Sequence, residues 1–535
     1  MPLTAADDPA SDDPASDGAA ANATITPQSS AEPARTLRLD LWVAPEDTAA
    51  LRRMPALARG PRPPREAKVM VWHDSPVAPL APRLALCEVR HGEAAVRHGE
   101  AAAVWRLERA SPSRHDGWGA VAPPAPLAEA DSPKFAGHDL PDGLVPVAAF
   151  RGTTQRWSLS DGAVAVTLLD GVLRAVADER PACRLRIEGE AEAAAALARL
   201  VGDRVRVGPP PATLAAEALR LGQPPAGRTL AQRHPGAPQV PAGASVEDAL
   251  RLLMRHLGEA VRHWVGRIEP PDAAVFSPEP VHQARVACRR LRSALSLFRH
   301  AADSAELRAL SGSLRELAAL LGAARDWDVF LDGPAAALRR AMPGERRVAR
   351  LVDGALRQRA LGYRAVEAAL GDARWRRLGL ELALAPELRS WRVAASAERL
   401  ATLDSSAQGT VSRRLDRALA AMRRSGKHVL ALDDAARHDL RKAGKRLRYA
   451  AEFFAPGFPA GGSRRTLRRL AALQEALGLL TDGAAAAALL ARLGPAGSGF
   501  AGGAVLGWLA AEAAPAGNAA ELAWKRLRRT EPFWR

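Results

Sequence analysis

The chain has 535 residues, room for roughly two to four domains, and it is 47% hydrophobic but only 4% aromatic, a composition that favours Ala- and Leu-rich helices over an all-β protein. Lys and Arg number 75 against 59 Asp and Glu, a net charge of +16. The excess is uneven, about −2 over residues 1–240 and about +18 over 241–535, so a polyanionic partner is expected for the C-terminal half.

Residues 1–34 are mostly Ala, Asp, Pro and Ser, with DDPAS twice, and predict a disordered acidic tail without the apolar core of a secretory signal. From residue 35 the pattern changes. Leu37, Leu39, Leu41 and Val43 alternate with polar residues or Trp, as in a half-buried strand. Val69 and Val71 alternate with Lys68, Met70 and Trp72; Cys183, Leu185 and Ile187 alternate with Arg184, Arg186 and Glu188. Asp161-Gly162 and Asp170-Gly171 flank the run AVAVTLL and read as two hairpin turns. EAAAALARLV predicts a helix. Residues 35–222 therefore read as a mostly antiparallel β domain. The segment VRHGEAA at 89–95 recurs at 96–102 as a local duplication. Trp42, Trp105, Trp118, His115 and His138 lack spacing partners and are assigned to packing.

Residues 223–243, rich in Pro and Gly, predict a linker. Ser245 with Asp248 predicts a capping box that opens a helical domain over 244–535. No run of about 18 apolar residues is evident, so no membrane span is expected. Three cysteines (Cys87, Cys183, Cys288) without a CxxC pair exclude a disulfide framework and a cysteine zinc module, and they fit a reduced, cytoplasmic setting.

The strongest signal is an internal repeat. HQARVACRRLRSALSLF at 282–298 matches HDLRKAGKRLRYAAEFF at 438–454, offset by 156 residues. The same offset relates Leu321-Gly322 and Asp326 to Leu477-Gly478 and Asp482. The helical domain is thus expected to be two similar bundles in tandem, about 244–400 and 401–535. On a helical wheel Ala284, Ala287, Leu291, Ala294, Leu295 and Phe298 share one face, and Leu440, Ala443, Leu447, Ala450 and Phe454 do so in the second copy. The opposite faces carry His282, Arg285, Arg289 and Arg292, with Arg290 set apart, and His438, Arg441, Lys442, Lys445, Arg446 and Arg448. A solvated helix usually interleaves Glu at i,i+4 with its cations. Residues 282–298 contain no carboxylate, so the two faces are expected to line one anion-binding cleft. The histidines fit as donors to phosphate oxygens or as props for neighbouring arginines. A zinc role lacks an HxxxH pair or a carboxylate partner. Asp326, Asp328 and Asp482 are expected to pair with nearby Arg and set helix packing.

The motifs H-x-x-R-V-x-x-R-R-L-R at 282–292 and H-x-L-R-x-x-x-K-R-L-R-Y at 438–449, with LGAARDWDV at 321–329, resemble the CHAD domain over about 245–535. Thr481 departs from the pattern where the first copy has Arg325. The resemblance implies two pseudo-symmetric all-α bundles around a basic surface that binds inorganic polyphosphate on granules. Carried over by position, the contacts would be His282, Arg285, Arg289, Arg290, Arg292, His438, Arg441, Lys442, Lys445, Arg446 and Arg448. Residues 35–222 resemble a degenerate CYTH, or triphosphate-tunnel, domain. Thr36-x-Arg38-x-Asp40 stands where that family has E-x-E-x-K, WHDSP at 72–76 resembles its Y-F-D-T-P, and Arg184 and Arg186 replace expected glutamates beside Glu188.

The expected fold is α+β multidomain, an antiparallel β tunnel-like barrel followed by tandem helical bundles. The favoured function is non-catalytic polyphosphate binding, with no catalytic or metal residue and no cofactor. The alternative is an inorganic triphosphatase in the barrel, which would need Mg or Mn; Arg38 and Arg186, placed where carboxylates would bring in the cation, argue against it. A nucleic-acid role is disfavoured because the basic helices have few interleaved aromatics. No P-loop, GxSxG or GxGxxG is present.

Overall fold

The computed structural model describes residues 36–535 except 59–61, 78–79, 81–83, 93–102, 110–126, 133–134, 136–138, 177, 211, 223–237, 274–275 and 394. The acidic tail, most of the linker, most of the VRHGEAA duplication, and His115, Trp118 and His138 lie outside the described residues.

Among the described residues the first domain has nine strands: β1 Thr36–Val43, β2 Glu66–Asp74, β3 Leu84–His91, β4 Val104–Arg109, β5 Ala128–Ala130, β6 Val145–Leu159, β7 Val164–Ala175, β8 Asp178–Glu190 and β9 Val207–Gly208. They form one sheet in the order β5-β4-β3-β2-β6-β7-β8-β1-β9, and every pairing is antiparallel. The alternation of β1 is realised: Leu37, Leu39, Leu41 and Val43 are buried with Cys183, Leu185 and Ile187 of β8. Helix α1, Ala191–Arg204, covers this face. In β2 the buried residues are Met70 and Trp72, and Val69 and Val71 are half-buried.

The expected barrel does not close. Among the described residues the edge strands β5 and β9 do not pair with each other, and at three and two residues they offer little ladder to do so. Helix α2, Leu214–Gly222, packs its Ala215, Ala218, Leu219 and Leu221 against Met70, Trp72, Phe150 and Leu173. Its buried Glu217 pairs with Arg184 at 2.7 Å. The register places Arg184, Arg186, Arg38 and Asp40 on that same face, opposite the α1 core. A helix therefore lies across the face that a tunnel would enclose.

One turn prediction also fails. Asp161-Gly162 does turn β6 into β7, with positive φ at Ser160, Asp161 and Gly162. Asp170-Gly171 instead lies inside β7. Gly171 faces Gly152 of β6, and a Cβ on either would come within 2.6 Å of the other's Cα. Glycine is required there by close strand approach, not by turn geometry.

The second domain is helical. Its longer helices are α3 Val246–Val265, α4 Glu279–Phe298, α5 Ala305–Phe330, α6 Arg346–Leu370, α7 Ala373–Leu388, α8 Ala407–Ser425, α9 Asp434–Phe454, α10 Ala460–Arg492 and α11 Phe500–Arg528. The predicted cap is present: Ser245 Oγ accepts from the Asp248 amide at 3.1 Å. At the offset of 156, α4, α5 and α6 fall opposite α9, α10 and α11, while α7, inside the first expected repeat, has no counterpart in the second. The starts of α3 and α8 and the ends of α4 and α9 meet at the join. Ser245 and Ser406, which cap α3 and α8, form an antiparallel bridge, and the rings of Phe298 and Phe454 lie 6.3 Å apart, edge to face. One continuous core runs through both repeats.

Helix α7 joins the two domains. Its Leu380, Ala383 and Leu384 enter the core of the sheet domain beneath α1. Glu381 accepts a two-pronged hydrogen bond from Arg199 of α1 at 2.7 and 2.8 Å. Helix α10 is the one described helix long and apolar enough, by length and composition, to cross a membrane. It packs here against α9 and α11, and its Leu470, Leu473 and Leu477 are in the shared core.

Candidate functional site

Helices α4 and α9 lie side by side, and each buries its predicted apolar face. Ala284, Ala287, Leu291, Ala294, Leu295 and Phe298 are buried on α4. On α9 Leu440, Gly444, Leu447, Ala450 and Phe454 are buried, while Ala443 is only half-buried. Their polar faces open into a cleft of roughly 1790 Å³ that also takes walls from α5, α8, α10 and α11.

Nine of the eleven predicted residues line it: His282, Arg285, Arg289, Arg292, His438, Arg441, Lys442, Lys445 and Arg446. Sequence reasoning missed Arg325, Arg414 and Arg492. The lining thus presents ten Arg or Lys and two His against four carboxylates, Asp326, Asp439, Asp482 and Glu512. Arg325 sits in the LGAARDWDV element and could have been added from its position; Arg414 and Arg492 carry no repeat signal.

The repeat landmark explains how the arginines are aimed. Gly322 of α5 lies under the Arg285 guanidinium, where a Cβ would come within 3.2 Å of Cζ. Gly478 of α10 lies under Arg441 in the same way, with Nη2 at 3.0 Å. Arg285 Nη1 then reaches Asp326 Oδ1 at 3.3 Å. Each Gly leaves room for a guanidinium against the neighbouring helix, and the Asp one turn later attracts it. Thr481, where the first repeat has Arg325, bonds back to the carbonyls of Leu477 and Gly478 at 3.2 and 3.0 Å.

Electrostatics tie the two repeats together. Burial lowers the Lys445 ammonium to about 8, and Arg441 of its own helix and Arg289 and Arg285 of the other repeat add to the effect. Burial also lowers His282, helped by Arg325, Arg289 and Arg285, which favours a neutral imidazole. Burial raises Asp482, against the pull of Arg441 and Lys445. Asp328 is fully buried; burial raises its carboxyl to about 6, and Tyr363 Oη donates to it at 3.0 Å. It belongs to packing, as expected.

Arg290 and Arg448 lie outside the cleft lining. Both bond to Glu452 of α9, and Arg448 also reaches Gln474 at 3.3 Å. Arg290 lies over the Tyr449 ring at 5.4 Å. At the offset of 156, Glu452 and Gln474 correspond to Ser296 and Ala318. The first repeat has no carboxylate there to draw Arg292 aside, so Arg292 faces the cleft while its counterpart Arg448 does not.

In the sheet domain, cross-strand pairing engages the carboxylates named from sequence. Arg38 bonds Glu188 at 2.6 Å, and Arg186 approaches Asp40 at 3.6 Å. Among the described residues no group of three or more His, Cys, Asp or Glu is arranged to hold a metal.

Comparison with known proteins adds the family. Two uncharacterized proteins from strains of Mycobacterium tuberculosis are each 32% identical over 234 residues, 42% of this chain and 42% of theirs. The match spans less than half the length of these curated relatives. The CHAD domain from the plant Ricinus communis is 28% identical, covering 55% of this chain and 96% of that one, with a TM-score of 0.46. PptA from Streptomyces chartreusis is 18% identical over 53% of this chain and 100% of that one, with a TM-score of 0.38. The family model of the CHAD domain matches residues 255–491, a span that holds both basic helices and both Gly–Asp landmarks. Residues 255–491 of this chain are a CHAD domain.

Proposed function

We propose that this CHAD domain binds inorganic polyphosphate in the cleft between α4 and α9, without catalysis, and that the protein acts at polyphosphate granules in the cytoplasm. One observation carries the reading: Arg285, Arg289 and Arg292 of α4 and Arg441, Lys442, Lys445 and Arg446 of α9 line one cleft, so cations of both helices face one space. Like charges held together at partial burial destabilise the empty protein, and a flexible chain of phosphates relieves that repulsion. Arginine and lysine can each contact successive phosphates, and the neutral His282 can donate one further hydrogen bond. Arg290 and Arg448 are assigned here to holding α4 against α9 through Glu452.

Titration of the full chain with long-chain polyphosphate at two salt concentrations tests this. Arg285→Ala with Arg289→Ala, and separately Arg441→Ala with Lys445→Ala, should each weaken binding by about tenfold or more, and the wild-type affinity should fall steeply with salt. If one pair leaves the affinity unchanged, a single repeat does the binding. If neither pair matters, the cleft is not the site.

A further inference from the structure

The cleft leaves much of the positive charge unexplained. Residues 241–535 carry about +18, and the cleft lining accounts for ten Arg or Lys against four carboxylates. A second concentration of charge lies outside the cleft, where the start of α10 meets the end of α11. Arg464, Arg465 and Arg468 of α10, Arg526 and Arg528 of α11, and Arg529 just beyond it are all exposed, and none lines the cleft. Among the described residues none of the six has a carboxylate partner.

The structure holds these cations together. Arg469 Nη1 donates to the Arg526 carbonyl at 3.0 Å and to Thr530 Oγ1 at 2.5 Å. Arg423, near the end of α8, donates to the carbonyls of Arg528 and Thr530 at 3.2 and 3.3 Å. Phe533, just beyond α11, packs on Phe458, just before α10, with ring centroids 5.4 Å apart. Two arginines thus fasten the C-terminal end of α11 to α8 and α10 and leave six others facing outward.

The other repeat supplies a control. At the offset of 156, Arg464, Arg465 and Arg468 correspond to Arg308, Ala309 and Gly312, and Arg526, Arg528 and Arg529 to Leu370, Asp372 and Ala373. The one arginine in that set, Arg308, is paired with Asp303 at 2.7 Å. The same helical scaffold is therefore built without this charge, so the bundle does not require it. Mutual repulsion among six exposed cations is a cost that an anion would remove.

We propose that this outer face of α10 and α11 is a second anion-binding site that takes inorganic polyphosphate. The ligand rests on the reading of the cleft; the location does not. Phe533, Trp534 and Trp524 in this region are buried and Phe458 is half-buried against Phe533, so among the described residues the face offers exposed guanidinium groups and no fully exposed ring. That favours a bare phosphate polymer over a single-stranded nucleic acid, whose bases stack on exposed rings. With two separated sites, one molecule can hold a long chain at two points or join two chains, and the second engagement gains from effective concentration.

The test uses the full chain and the outer variant Arg464→Ala/Arg465→Ala/Arg468→Ala, beside Arg464→Lys/Arg465→Lys/Arg468→Lys. The positions are exposed and alanine is a strong helix former, so helical circular dichroism should be retained. The probes are tripolyphosphate, long-chain polyphosphate and duplex DNA. The alanine variant should lose about tenfold in long-chain affinity and the light scattering caused by cross-linked chains, and the lysine variant should keep both. Wild-type scattering and long-chain affinity in the alanine variant would overturn the proposal. So would loss of DNA binding with polyphosphate binding intact, which would make the partner a nucleic acid. The cleft reading is judged separately, by whether the Arg285/Arg289 pair is needed for tripolyphosphate.

Discussion

Lys445 is a cleft residue whose charge changes just above neutral pH. Burial and the arginines around it hold its ammonium at about 8, against an ordinary value of 10.5. A polyphosphate chain favours the charged form, so binding above pH 8 must take up a proton. Affinity should therefore fall as pH rises through about 8, and Lys445→Arg, which stays charged, should flatten the profile between pH 7 and 9. His282 does not add to this window, because burial and Arg325 move it down, away from it. The free protein should respond in the opposite sense. A lysine whose folded value is depressed destabilises the fold fully below about pH 8, and that penalty is relieved as pH rises toward 10.5. Calorimetric titration in buffers of different ionisation enthalpy reads the proton uptake directly. A pH-independent affinity from 7 to 9 would remove Lys445 from the contact set.

At the scale of the helix, two adjacent arginines have opposite tasks. Arg289 faces the cleft, and Arg290 pairs with Glu452 across the join of α4 and α9, where their side chains are 16% and 17% exposed. Arg448 closes on the same Glu452 at 2.7 Å. Glu452→Ala would leave Arg448 with Gln474 and Arg290 with the Tyr449 ring as remaining partners at a partly buried seam, at a cost of about 2 kcal/mol. Arg289→Ala removes a repelling charge and should leave stability unchanged or slightly higher. Denaturant unfolding of the two variants checks this, and equal losses would mean that the seam and the cleft are not separate. The helical wheel already set Arg290 apart from Arg285, Arg289 and Arg292. It could not do so for Arg448, because its own turn matches that of Arg292 and the difference lies in Glu452 and Gln474. Periodicity states which way a side chain points from its own axis; what it meets there depends on the neighbouring helix. The same limit explains the sheet. Alternation in β1 and β8 predicted the strands and their buried faces. Closure depends on whether β5 and β9 meet, and on a helix, α2, that packs by contacts far apart in sequence.

The whole molecule is coupled through α7, which no repeat predicted. This helix comes from the second domain yet supplies Leu380, Ala383 and Leu384 to the core under α1, with Arg199 and Glu381 at the edge. Two domains that share a core should unfold together, so the intact chain should show one calorimetric transition. A ligand that binds only the folded helical domain then stabilises both. At 100 times its Kd, polyphosphate should add about 2.7 kcal/mol, and the sheet domain should rise in melting temperature with the helices although it does not touch the ligand. Leu384→Ala should cost about 2–4 kcal/mol by opening a cavity in the shared core. Combined with Arg199→Ala, it should loosen the seam enough to split the transition in two. In that double variant polyphosphate should move the helical transition and leave the other in place. The seam lies away from the cleft, so the affinity should stay at the wild-type value and distinguish loss of coupling from loss of binding. Two independent transitions in the wild-type chain, only one of them moved by polyphosphate, would show that the shared core does not couple the domains.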